Sequence, residues 1–121
     1  MLQLSHKDLK VYQYALELVK EIYSQTKTFP KEEQFVLVSQ LRRAAISVCS
    51  NLAEGAARKS KTEKKRFYEI SRSSLVEVDT QIEISLMLNY VDRIEIKRSE
   101  ELLESIFKMQ SKMISNLENG T

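Results

Sequence analysis

The sequence predicts an all-α protein, folded as an antiparallel up-down four-helix bundle. Apolar residues recur at intervals of three and four along four stretches, which is the spacing of one face of an α-helix. The 121 residues include only two glycines and one proline, the residues that most often interrupt helices. No stretch shows the alternating pattern of a β-strand. Four helices with short connections favour the antiparallel bundle, and we expect residues 1–121 to form a single domain.

The first two helices are predicted over about residues 6–27 and 31–57. The apolar stripe of the first consists of Val11, Ala15, Leu18 and Ile22. Pro30 separates the two helices because proline disfavours the helical conformation of the residue before it, here Phe29. The apolar stripe of the second consists of Leu37, Leu41, Ala44, Val48 and Leu52.

The other two helices are predicted over about residues 61–90 and 93–117. Ser60 and Glu63 have the spacing of a capping box, and Asp92 and Glu95 form a similar pair. The predicted inward positions are Phe67, Ser71, Ser74, Val78, Ile82 and Ser85, then Leu103, Ile106, Gln110, Met113 and Leu117. We expect a frayed tail over residues 116–121.

Cysteine and histidine usage limits the chemistry that the chain can perform. Cys49 is the only cysteine, which excludes an intrachain disulfide, and we expect it to be buried. His6 is the only histidine, has no companion ligand nearby in sequence and is expected at the surface, so we expect no metal and no cofactor. No apolar run is long enough for a membrane span and no signal peptide is recognisable. These features favour a cytoplasmic protein.

The second helix carries a ridge of small side chains spaced four residues apart. The ridge consists of Ala45, Cys49, Ala53 and Ala57. Such a ridge lets another helix approach closely. Two interpretations stay open: close packing inside one bundle, which we favour, or contact with a neighbouring subunit.

Four polar residues are predicted to form a structural seam between the second and third helices: Asn51, Glu54, Glu77 and Gln81. If the chain folds back around residues 58–59, Glu54 comes level with Lys64 and also pairs with Arg58. Glu77 then faces Arg42 or Arg43, and Gln81 faces Gln40. A general acid–base pair is the alternative, but no nucleophile, metal site or glycine-rich loop accompanies it. We therefore expect no catalytic residue and no enzyme.

Basic residues are concentrated where the second helix meets the third. Residues 58–66 contain six basic side chains and one acidic one, whereas residues 67–121 contain six basic and ten acidic. The candidate nucleic-acid-binding residues are Arg58, Lys59, Lys61, Lys64, Lys65 and Arg66, with Arg42 and Arg43 as second candidates. Cations at this corner could contact phosphates, and the alternative is a solvated turn. No aromatic residues alternate with these cations, so base stacking is not indicated.

Three segments resemble a small bacterial four-helix-bundle family whose reading frames were first noticed inside intervening sequences of 23S ribosomal RNA genes. The segments are DLKVYQYALELVKEIY (8–23), QLRRAAISVCSNLAEGAARKSKTEKKRF (40–67) and SLVEVDTQIEISLMLNY (74–90). The most specific motifs are Leu-Arg-Arg-Ala-Ala (41–45), Asn-Leu-Ala-Glu-Gly (51–55) and Arg-Lys-Ser (58–60). Leu75, Glu77, Thr80 and Gln81 match a further pattern of this S23-type family. Cys49 stands where the family has proline or another small residue.

The resemblance implies a bundle that assembles into a ring, with a homopentamer as the favoured form, and no known catalysis. It also implies a distant likeness to the accessory proteins of diversity-generating retroelements, which bind a reverse transcriptase and nucleic acid. Our first hypothesis is a non-enzymatic oligomeric binding protein that contacts structured RNA or DNA through phosphates. The second is a protein–protein adapter ring that binds no nucleic acid, and no membrane is expected as a partner.

Overall fold

The computed structural model describes residues 1–119 and confirms the predicted all-α four-helix bundle. The helices are α1 (Lys10–Thr26), α2 (Leu37–Ala57), α3 (Lys61–Met87) and α4 (Lys97–Asn119). Short 3-10 turns over Ser5–Asp8 and Lys31–Glu33 precede α1 and α2. Each helix packs against its neighbours around the bundle: α1 against α2 and α4, and α3 against α2 and α4. None of residues 1–119 lies in a β-strand.

One continuous apolar core lies between the four helices. Its largest fully buried apolar side chains are Leu18, Ile22, Leu41, Leu75, Ile96, Leu102 and Ile106. The predicted stripe of α1 is buried throughout, because its spacing keeps all four side chains on the face that meets α2 and α4. Met113 and Leu117, predicted to point inward from α4, are partly buried and pack at the edge of this core.

The first two helices begin later than predicted. The predicted helix over residues 6–27 is divided at Leu9, whose backbone is extended (φ −71°, ψ 132°), so α1 begins at Lys10. α2 begins at Leu37 rather than near residue 31, because Val36 leaves the helical conformation with φ −118° and ψ −96°. No glycine or proline lies at either interruption, so the sequence pattern does not reveal them.

α3 ends at Met87 rather than near residue 90. Asn89 adopts the left-handed conformation with φ 61°, which asparagine tolerates better than most residues. The amide of Tyr90 then donates a 2.9 Å hydrogen bond to the carbonyl of Ser85, which closes the end of the helix.

α4 begins at Lys97, one turn after the predicted start near residue 93. Asp92 and Glu95 form the predicted capping box: the Glu95 amide donates to Asp92 at 2.8 Å, and the Asp92 amide donates to Glu95 at 3.1 Å. The predicted frayed tail is wrong for residues 116–119, which continue α4. Residues 120 and 121 lie outside the described part of the chain.

α2 and α3 approach each other closely at Gly55. A Cβ atom on this buried glycine would lie 2.6 Å from the Tyr68 ring, closer than packed carbon atoms come. Along the small ridge of α2, Ala45 and Cys49 are buried and Ala53 is half-buried. The ridge therefore faces the interior of the bundle over its first half and opens toward the surface at Ala57.

A buried polar link connects α2, α3 and α4. The Ser71 hydroxyl donates to the Val48 carbonyl of α2 at 2.8 Å and accepts a 2.8 Å hydrogen bond from Nε2 of Gln110. Ser71 and Gln110 are fully buried, and Oε1 of Gln110 has no hydrogen-bond partner among residues 1–119. Since losing a partner of a buried polar group is costly, this link favours one register of the three helices over shifted ones.

We expect Gly55→Ala to destabilise the bundle. Alanine normally stabilises a helix relative to glycine, but here the added methyl must displace the Tyr68 ring, and such overpacking costs about 1–3 kcal/mol. Urea unfolding followed by circular dichroism measures the change. Ser50→Ala, at an exposed position of the same helix, should shift the free energy of unfolding by less than about 0.5 kcal/mol. A Gly55→Ala protein more stable than the parent would contradict the close approach.

Candidate nucleic-acid interface

The chain turns from α2 into α3 within residues 58–60. The Ser60 hydroxyl accepts a 3.1 Å hydrogen bond from the Glu63 amide, as the capping-box spacing predicts. The Glu63 carboxylate lies 3.5 Å from Arg58. Arg58 also pairs with Glu54 at 3.0 Å, and its guanidinium lies 4.7 Å from the centroid of the Phe67 ring. Arg58 is therefore held at the corner by two carboxylates and an aromatic ring.

Two of the lysines also have partners within the chain. Nζ of Lys64 lies 3.0 Å from the carbonyl oxygen of Ala56 and 3.4 Å from that of Gly55, at the C-terminal end of α2. A cation there is favoured by the helix dipole. Lys65 forms a 2.9 Å ion pair with Glu118 of α4, and this hydrogen bond raises the pKa of Lys65.

The three other basic side chains of the corner are Lys59, Lys61 and Arg66, and all three are exposed. Lys59 forms no ion pair within residues 1–119. The Arg66 guanidinium lies 5.8 Å from the Phe67 centroid. Six cations against the three carboxylates of Glu54, Glu63 and Glu118 leave the corner with a net charge of +3.

The second candidates, Arg42 and Arg43, lie away from this corner. Arg42 donates from Nε to the Thr26 hydroxyl at 3.0 Å and stacks 4.3 Å from the centroid of Tyr23, so it connects α2 to α1. Arg43 is exposed and lines a surface groove between α2 and α3 together with Glu77. The structure therefore does not bring these two arginines into one surface with residues 58–66.

Two members of the predicted polar seam contribute to contacts across α2 and α3. Asn51 donates to the Ser47 carbonyl at 2.9 Å and to its hydroxyl at 3.0 Å, and that hydroxyl shares a 2.8 Å hydrogen bond with Ser74. Gln81 donates to Gln40 at 3.3 Å, which is the predicted pairing. The seam is thus built from amides and hydroxyls rather than from charges.

The two acidic members of the predicted seam do not cross between the helices. Glu54 pairs with Arg58 as predicted. Lys64 comes level with this end of α2, but its ammonium contacts the carbonyls of Gly55 and Ala56 and forms no ion pair with Glu54. Glu77 faces the groove beside Arg43 but forms no ion pair within the described residues.

A second surface feature is the groove between α3 and α4, which the sequence does not predict. This α3–α4 groove encloses about 420 Å³ and has Val76 and Phe107 on its walls. Its carboxylates are Asp79, Glu100 and Glu104. An exposed Phe107 among acidic residues of α4 is the sequence signal that could have indicated it.

The side chains usually associated with catalysis are buried or dispersed. The surface prediction for His6 is wrong: it is 7% exposed and packs edge-on against Tyr12, with ring centroids 4.7 Å apart. Cys49 is buried as predicted, and loss of hydration raises the pKa of its thiol to about 11. Within residues 1–119 no three His, Cys, Asp or Glu side chains are grouped closely enough to hold a metal ion. No helix in that range is long and apolar enough to cross a membrane.

The fold and the corner together define a small all-α bundle with a basic helix–helix turn. The chain belongs to the family of 23S rRNA-intervening sequence proteins, whose family model matches residues 7–112. This result confirms the resemblance carried by the motifs at residues 41–45, 51–55 and 58–60.

A solved structure shows the same fold. The chain is similar to a protein with unknown function from the S23 ribosomal protein family of Bacteroides thetaiotaomicron VPI-5482, with a TM-score of 0.63 and 21% sequence identity. The likeness covers 88% of this chain and 94% of that one. A search of curated proteins gives no match.

We expect Cys49 to react slowly with thiol reagents while the protein is folded. The thiolate is the reactive species, and raising the pKa from 9.0 to about 11 lowers its population about 100-fold at pH 8. Labelling with a chromogenic disulfide reagent measures the rate, and the same chain in urea serves as the unfolded control. Equal rates in the two conditions would show that Cys49 is accessible and normally ionised.

Proposed function

We propose that this chain is a non-enzymatic, oligomeric binding protein of the bacterial cytoplasm that contacts structured RNA or DNA through the phosphate backbone. The observation that supports this proposal is the α2–α3 corner, where Lys59, Lys61 and Arg66 are exposed beside three further cations. Phosphate contacts from lysine and arginine supply most of the affinity of non-specific nucleic-acid binding.

The corner favours contacts to phosphates over contacts to bases. The aromatic residues next to it are not available for stacking, since Tyr68 is buried and Phe67 lies against Arg58 and Arg66. Base-edge or stacking contacts are what give sequence preference. We therefore expect weak sequence preference.

Oligomerisation strengthens this proposal because a net charge of +3 on one corner is small. Arg58 and Lys65 are already paired with carboxylates and would have to exchange them for phosphates. A ring of identical subunits, with a homopentamer as the form favoured by the family resemblance, presents several corners to one nucleic acid. Several weak binding sites in one assembly bind a nucleic acid more tightly than one site does, because binding at one site raises the effective concentration of the nucleic acid at the others.

Replacing Lys59, Lys61 and Arg66 with serine should weaken binding to a structured RNA hairpin and reduce its salt dependence. The logarithm of the binding constant falls by about 0.9 per neutralised duplex phosphate for each tenfold rise in salt, so losing three contacts reduces the slope by about 2–3. Fluorescence anisotropy at several salt concentrations measures both quantities.

The matched control replaces three exposed lysines elsewhere with serine: Lys31, Lys97 and Lys112. This control changes the net charge by the same amount as the first triple variant. It should leave most of the affinity for the hairpin and most of the slope of the salt dependence unchanged. Binding that is independent of salt, or equally weakened in both triple variants, would refute the proposed interface.

The adapter ring is a second candidate, favoured by the internal pairing of Arg58 and Lys65 and by the acidic α3–α4 surface. Carboxylates there repel phosphates but suit a basic protein partner, of which a reverse transcriptase is the example implied by the resemblance. A pull-down after nuclease treatment distinguishes the two candidates. A partner that remains bound favours the adapter, and one that is released favours nucleic-acid binding.

A further inference from the structure

The α3–α4 groove has an apolar floor and walls. Leu75 and Leu103 are buried beneath it, whereas Val76 and Phe107 on its walls are 49% and 43% exposed. Covering these side chains would remove apolar surface from water and stabilise whatever covers them. An amphipathic helix that lays its apolar face into an apolar groove is a recurring mode of recognition.

The rim of the groove is acidic. Asp79, Glu100 and Glu104 border it, with Lys108 as the one cation among the residues that line it. Asp79 and Glu104 form no ion pair within residues 1–119, and Glu100 lies 4.0 Å from Arg93. An occupant that complements this groove is therefore a helix with an apolar stripe flanked by lysine or arginine.

The outer face of α1 has that chemistry. Leu9 immediately precedes the helix, and Leu16 and Tyr23 follow it on α1 at intervals of seven residues; the three are 41%, 47% and 37% exposed. Lys20 on α1 and Lys27 just after its end each lie four residues after one of them, are exposed and form no ion pair within the described residues. We call these five residues the α1 stripe.

We propose that the α1 stripe of one copy occupies the α3–α4 groove of a second copy. This inference rests on the proposed oligomer and identifies its contact. α1 packs between α2 and α4, so the stripe and the groove lie on different sides of the bundle and one chain cannot join them. Each copy contributes its stripe to one neighbour and its groove to another. Such a heterologous contact closes into a ring when the rotation between copies permits.

Paired charge reversals test the contact through the molar mass of the protein, measured by light scattering during gel filtration and by sedimentation. Lys20→Glu with Lys27→Glu places two carboxylates opposite the three carboxylates of the groove, and Asp79→Lys with Glu104→Lys places two ammonium groups opposite Lys20 and Lys27. Each pair should raise the dissociation constant of the assembly at least about tenfold, since like charges across an interface are strongly unfavourable. Combining all four substitutions restores attraction and should recover assembly.

Ile94→Glu, at a position 87% exposed and outside both surfaces, is the control and should keep the parent mass. Helical circular dichroism shows whether each variant is folded. An assembly that is unchanged by both charge-reversed pairs overturns this contact while leaving the proposed oligomer intact. A parent chain that stays monomeric at its highest soluble concentration overturns both. The RNA-binding assay reports on the phosphate interface separately.

Discussion

The close approach of α2 and α3 determines the arrangement of the other helices. Gly55 leaves no side chain where the Tyr68 ring packs, and Ser47 and Ser74 meet by a hydrogen bond of 2.8 Å. With two helices this near, small hydroxyls can bond directly between them or to backbone carbonyls. The Ser71 link to Val48 is such a bond, and Gln110 extends it to α4. Packing and hydrogen bonding therefore specify the same register.

The close approach of α2 and α3 also determines which contacts the basic residues of the corner make. Because α2 and α3 are joined by residues 58–60 alone, the cations of this linker and of the first turns of α3 are crowded together. Arg58 and Lys64 lower that repulsion by contacting Glu54 and the last carbonyls of α2, and Lys65 contacts Glu118. Arg58, Lys64 and Lys65 thus contribute contacts within the corner, and the proposed phosphate contacts rest on the exposed Lys59, Lys61 and Arg66.

The sequence predicts the fold well because helical spacing, scarce glycine and helix caps all indicate four helices. Its errors lie where no breaker residue is present, as at Leu9 and Val36, and at His6, which is buried because the Ser5–Asp8 turn packs against α1 and α2, a contact that periodicity does not encode. For the candidate interface, the sequence predicts the basic cluster and the pair between Arg58 and Glu54, which the structure shows, but not the ion pair of Lys65. The partner of Lys65 is Glu118, which is distant in sequence and lies near Lys65 only in the folded bundle.

A double-mutant cycle between Ser71 and Gln110 tests most directly whether this buried link holds the three helices in register. Ser71→Ala alone leaves the Gln110 amide unpaired and should cost about 1–3 kcal/mol in the free energy of unfolding. Adding Gln110→Met removes the unpaired group, so the double variant should lose at least about 1 kcal/mol less than the two single losses combined. Losses that add to within about 0.5 kcal/mol would contradict the account, since additivity means that the two residues act independently.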